Sequence, residues 1–148
     1  MERLKARLIR LAQEDKILGE WYSIAGICLE FSSMDTHFLY GQLQVKKDSD
    51  FEQVKFKALY TIDDNLQFEL AFVSNFRIRQ NQCRGAFCGT ANLTLKNPII
   101  TITCVSEISV GKDLIVKRAN WDFSKSLKCL NFEDYPVHEE NDFFDPIR

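Results

Sequence analysis

The chain has 148 residues, the length of one ordinary domain, and its 45% hydrophobic and 27% charged content is that of a folded globular protein, not a disordered one. Its 19 Lys and Arg against 21 Asp and Glu give a formal net charge of −2, which argues against a general nucleic-acid binder, because phosphate contacts call for a clear basic excess. No apolar run approaches the roughly 18–20 residues that span a bilayer. The charged N-terminus MERLKARLIRLAQEDK lacks the uninterrupted apolar stretch of a signal peptide, so the expectation is a non-secreted protein of the cytoplasm or of a plastid-type stroma.

Met1, Leu4, Leu8 and Leu11 recur at helical spacing, with Ile9 and Leu18 widening the stripe and Lys5, Arg7, Arg10 and Lys16 on the polar side. This predicts an amphipathic helix over 2–18, ended by Gly19. After Gly19 the period changes from 3.6 to 2. Trp21, Ser23, Ala25, Ile27, Leu29 and Phe31 alternate with Tyr22, Ile24, Gly26, Cys28 and Glu30, which predicts one first strand. Further strands are predicted over 37–46, 51–62, 66–79, 86–96, 99–108, 113–123 and 127–132. Turn signals separate them at Asp63-Asp64-Asn65, Gln80–Arg84, Asn97-Pro98 and Gly111-Lys112. In 51–62, Val54, Phe56, Ala58, Tyr60 and Ile62 face one way, while Lys55 and Lys57 face the other.

About eight consecutive strands with short connections exclude parallel crossovers. They predict a mainly β fold, an eight-stranded antiparallel up-and-down barrel behind an N-terminal helix, with a two-sheet sandwich as the alternative. The barrel domain is expected over 1–132, and 133–148 is expected as a tail. Between Glu133 and Asp145 that tail carries six acids and no Lys or Arg, along with Tyr135, Pro136, Phe143 and Phe144. It either docks on its own domain or engages a protein partner.

Five cysteines (Cys28, Cys83, Cys88, Cys104 and Cys129) are an odd number in a chain without a secretory start, so free thiols are expected over a disulfide framework. Cys83 and Cys88 have no second pair at zinc-ligand spacing, and His37 and His138 stand apart, so no metal is expected. There is no phosphate loop, nucleophile elbow or helical His pair. No catalytic set can be assembled, and function therefore rests on what the barrel holds or what its surface touches.

Gly19-Glu20-Trp21-Tyr22-Ser23-Ile24-Ala25 resembles the Gly-x-Trp-Tyr-x-Ile-Ala signature that opens the first strand of lipocalins. The resemblance covers about seven positions and implies an eight-stranded barrel with Trp21 at its closed end beneath the N-terminal helix. It also implies a late-strand Arg packed over the Trp ring, for which Arg118, beside Lys117, is the candidate. Unlike the family, this chain has a short loop at 32–36 and no evident C-terminal helix. Asn75-Phe76-Arg77-Ile78-Arg79 resembles the Asn-x-Arg-x-Arg segment of lipocalin-fold bilin lyases, and Ala86-Phe87-Cys88 echoes a later stretch of them. That resemblance implies a bilin or other tetrapyrrole as ligand, its propionates clamped by Arg77 and Arg79. The other reading of this pair is an outward-facing one on a solvated strand.

The expected function is a lipocalin-like binding protein holding a small, largely apolar ligand. Trp21, Phe56, Tyr60, Phe68, Phe72, Ile102 and Val116 are expected inside, and Tyr40, Tyr60, Arg77 and Arg79 are the polar anchors. Whether Arg77 points inward depends on a bend or bulge in strand 66–79. The alternatives are an interaction module with a filled barrel and a bilin lyase-like or isomerase-type enzyme. The 12 Phe pose the question that separates them: whether the aromatic interior is full.

Overall fold

A computed structural model describes residues 14–24, 26–45, 53–78, 80–126 and 145–146. Antiparallel strands run in sequence order: β1 (Gly19–Tyr22), β2 (Ile27–Met34), β3 (Phe38–Val45), β4 (Val54–Ile62), β5 (Gln67–Ile78), β6 (Asn81–Asn92), β7 (Ile99–Val110) and β8 (Asp113–Ser124). Each strand pairs with the next, and β1 also pairs with β8 through Tyr22 and Ser124. That last pairing closes the sheet into an eight-stranded up-and-down barrel, which removes most of the free edge a meander would otherwise expose. A two-residue strand β9 (Asp145–Pro146) lies against β8, opposite Arg118 and Lys117.

The alternation in the sequence accounts for the barrel wall. In β4 the burial pattern alternates without a break, with Val54, Phe56, Ala58 and Tyr60 inside and Lys55 and Lys57 outside. β6 and β7 repeat the pattern over 12 residues each. The result is one contiguous core inside the barrel, with polar side chains on most of its outside.

Three expectations about the elements are corrected. The predicted first strand is a hairpin: Trp21 lies opposite Leu29, the Ser23 amide donates to the Ile27 carbonyl, and the Gly26 amide donates to the Ser23 carbonyl. Gly26 takes a φ of +81°, a conformation that ends a strand and suits glycine. Residues 80–84 are not a loop, since β6 begins at Asn81. Finally, β5 has no bulge, and its ladder with β6 runs unbroken from Gln67–Asn92 to Ile78–Asn81. The register irregularity lies instead in β2, between Phe31 and Ser33.

Of the helix expected over 2–18, residues 14–17 are described and are helical, with the Leu18 amide donating to the Glu14 carbonyl. Residues 1–13, the strand expected at 127–132 and the tail over 133–144 lie outside the described residues.

Candidate functional site

The expected ligand-lining residues separate into two groups. Phe56, Tyr60, Phe68 and Phe72 face the interior and are buried. Trp21 and Ile102 are also inside, each fully buried. Tyr40, Arg77 and Val116 are on the outer face. The reason is parity: Leu39 and Leu43 flank Tyr40 inward, Phe76 flanks Arg77, and Ala119 and Trp121 set the inner face of β8. Arg79 lies outside the described residues.

Inside, aromatic rings meet in a continuous series. Trp21 and Phe31 meet edge to face at 6.5 Å, and Phe31 meets Phe56 the same way at 6.0 Å. Phe56, Phe72 and Phe87 then stack nearly parallel, with centroids 4.2 and 4.5 Å apart. Phe87 faces Trp121, which meets Phe123. Both stacking and edge contacts add to the area these rings bury. Small residues opposite the rings make the room: Gly41 lies between Phe31 and Phe56 in the register, and Cys104 and Ala119 continue the row of Phe72 and Phe87.

The hydroxyls expected to anchor a ligand have protein partners. The Asp35 carboxylate accepts from the His37 and Phe38 amides at 2.9 and 2.8 Å and from the Tyr40 hydroxyl at 3.1 Å. Those amide donors hold its pKa below the usual carboxylate range. The Tyr60 hydroxyl donates to the Asp35 carbonyl. Lys57 lies 4.1 Å above the Phe38 ring on the outer face.

At the end of the barrel where β1 meets β8, Trp21 donates through Nε1 to the Ile17 carbonyl at 2.8 Å, which ties β1 to the helical turn at 14–17. The cation over its ring is Lys125, with Nζ 5.3 Å from the centroid. The same Nζ donates to the Asp15 and Leu18 carbonyls at 3.0 and 2.6 Å, at the C-terminal end of that turn. Arg118, expected in this role, is exposed on the outer face of β8, because it lies six residues before the strand end that meets β1.

None of the four described thiols is in a disulfide. Cys28, Cys83 and Cys104 are buried, while Cys88 is exposed on the outside of β6. Burial pushes the Cys104 thiol from an ordinary 9.0 up to about 12. An unfolded thiol therefore ionises at a lower pH than the folded one, so the folded state binds more protons above pH 9.0, and stability is expected to fall as pH rises towards about 12. Iodoacetamide should label Cys88 in the native protein and reach Cys28, Cys83 and Cys104 only after unfolding, as peptide mapping by mass spectrometry would show. Native labelling of Cys104 at the rate of Cys88 would contradict its burial.

Ser106 carries the one buried side-chain oxygen or nitrogen without a hydrogen-bond partner among the described residues. It faces inward, between Gly85 and Lys117 in the register. Such a hydroxyl costs about 1–3 kcal/mol where it has no acceptor.

The outer face of β5–β8 has two different halves. In the lower half, side chains on neighbouring strands satisfy one another: Thr101 donates to Asp122 at 2.7 Å and Thr103 to Asn120 at 2.8 Å. The upper half holds an open groove of about 480 Å³, lined by Asn75, Arg77, Gln82, Arg84, Glu107, Ser109 and Leu114, with Phe76 and Cys83 at its floor. Sequence reasoning singled out Arg77 but missed Arg84. The signal was available, since residues 84 and 77 share a face once β5 and β6 pair with Asn75 opposite Arg84 and Arg77 opposite Gln82.

Among the described residues, no group of three or more His, Cys, Asp or Glu is placed to hold a metal ion, and no helix is long and apolar enough to cross a membrane. Compared with known proteins, the chain matches no family model, and no curated protein matches it either.

Proposed function

We propose that this protein is a non-enzymatic binding module whose barrel is packed by its own aromatic rings and which takes its partner on the outer surface. The observation that carries this reading is the unbroken ring series from Trp21 to Phe123, in which Phe72 is sandwiched between Phe56 and Phe87 at stacking distance. Rings at that separation leave no room between them for a further planar molecule. Arg77 on the outside gives no support to a tetrapyrrole clamped within the barrel. The surface offers what the middle of the barrel does not, a concavity with several unspent donors.

A second reading, a small ligand held in the upper interior, is favoured by the orphaned Ser106 hydroxyl. Titration with the neutral apolar dye N-phenyl-1-naphthylamine separates the two. A packed barrel gives no saturable rise in dye fluorescence and no energy transfer from Trp21 and Trp121. A saturable one-to-one rise that Ser106→Ala weakens would overturn the surface reading in favour of the interior one.

A further inference from the structure

On the outer face, the register sets Asn75, Arg84, Glu107 and Val116 in one row across β5–β8, and it pairs Arg77 with Gln82 in the next. Arg77 and Arg84 are therefore diagonal neighbours on the same face of a paired ladder, a separation within reach of long side chains. Neither forms an ion pair with a carboxylate among the described residues, although Glu107 lies directly across from Arg84. Two adjacent guanidiniums repel each other; the single carboxylate of Glu107 offsets only part of their charge, and a bound anion would offset the rest. Guanidinium groups present a planar fork that matches carboxylate and phosphate oxygens.

The row on the other side of Arg84 is apolar across β5, β6 and β7. Val73, Ala86 and Val105 lie directly across from one another, with Val73 63% and Val105 43% exposed. On β8 the row ends in the exposed Arg118, opposite Val105, while Val116 lies one row over, opposite Glu107. A charged pair beside an apolar shelf describes an amphipathic guest. Glu107, directly across from Arg84, weighs against polyanions, because several charges could not all approach the arginines without also approaching its carboxylate.

We propose that this groove is a binding site for an amphipathic organic monoanion. Its carboxylate or phosphate diester is held by Arg77 and Arg84 with help from the Asn75 and Gln82 amides, and its apolar body lies on Val73, Ala86 and Val105. A volume of about 480 Å³ falls in the range of small-molecule sites, which is roughly 300–1,000 Å³. This inference rests on the surface reading above, but the two fail separately. The neutral dye tests the packed interior, and charged probes test the groove.

The test uses the full chain, ¹⁵N-labelled, titrated with octanoate and with methyl phenyl phosphate, a singly charged diester, and with 1-octanol as the neutral control. At least one anion is expected to shift the amides of 75–77, 82–84 and 107–109 saturably, while octanol does not. Whichever anion binds more tightly identifies the headgroup. The double variant Arg77→Gln, Arg84→Gln should bind at least about tenfold more weakly, a change of about 1.4 kcal/mol, with an unchanged melting temperature because both side chains are exposed. Saturable shifts centred on interior residues such as Phe72 and Phe87, equal affinity in the double variant, or no response to either anion would each overturn the proposal.

Discussion

Phe72→Ala is expected to lower the unfolding free energy by about 3–5 kcal/mol, read as a lower urea midpoint at an unchanged slope. Phe72 is only 6% exposed and is the middle ring of the parallel stack, touching Phe56 on one side and Phe87 on the other. Its removal deletes both contacts at once. The site also resists collapse: Phe87 is Phe72's direct cross-strand partner, in a β5–β6 ladder that runs unbroken for the whole length of both strands. The cavity term therefore adds nearly in full to the lost transfer energy. An apolar cavity of this kind stays dry and takes up small apolar molecules, so Phe72→Ala is expected to bind benzene, whose ring matches the one removed, and the native protein is not. Phe38→Ala provides the comparison. Phe38 is half-buried on the outer face under Lys57, and its loss should cost about 1 kcal/mol. Equal losses at the two positions would mean that the ring stack is not the centre of the core.

Much of this arrangement was legible from period and parity. Strands β3 to β8, their antiparallel order and the inward rings Phe56, Phe68, Phe72 and Phe87 follow from alternation, because a half-buried strand presents every second residue to the core. The hairpin at β1–β2 was not legible for a related reason. Trp21 pairs with Leu29 and Gly19 with Phe31, so odd-numbered residues face inward on both arms. Folding back at 23–26 leaves the alternation unchanged, and period alone cannot distinguish one long strand from this hairpin. Only Gly26 carried the information.

The placement of Arg77 was legible in principle. The inner series of Leu70 and Phe72 continues to Phe76, and it fixes Arg77 outside as long as no bulge intervenes. Lys125 escaped notice for a different reason. It stands one residue past the end of β8, and it reaches Trp21 only because closure sets Ser124 against Tyr22. A contact made by barrel closure joins residues more than a hundred positions apart, and no local pattern reports it. The groove is likewise a property of pairing: Arg84 and Glu107 become neighbours only when β6 and β7 are in register.

The same long-range geometry makes Gly41 the position least able to accept a side chain. A methyl group added there would sit 2.1 Å from the Glu30 carbonyl oxygen and 2.9 Å from Cζ of Phe56. Glu30 is on β2, one residue before Phe31, which pairs with Gly41 beside the register irregularity. The nearer clash is with backbone. Relief would require β2 and β3 to move apart, which breaks their ladder and withdraws Phe31 from Phe56. Gly41→Ala is therefore expected to cost about 3 kcal/mol or more, seen as a large fall in urea midpoint or as a failure to fold. Gly89→Ala is the matched control, since its nearest neighbours are side-chain atoms of Ile102 and Leu70 at 3.2 Å. Those side chains can yield by a few tenths of an ångström, and a loss of about 1 kcal/mol is expected. Trimming the ring in the double variant Gly41→Ala, Phe56→Leu should not restore stability, because the carbonyl of Glu30 remains in the way. Recovery in that double variant would place the conflict in the ring instead, and the β2–β3 separation would then have to be wider than 2.1 Å implies.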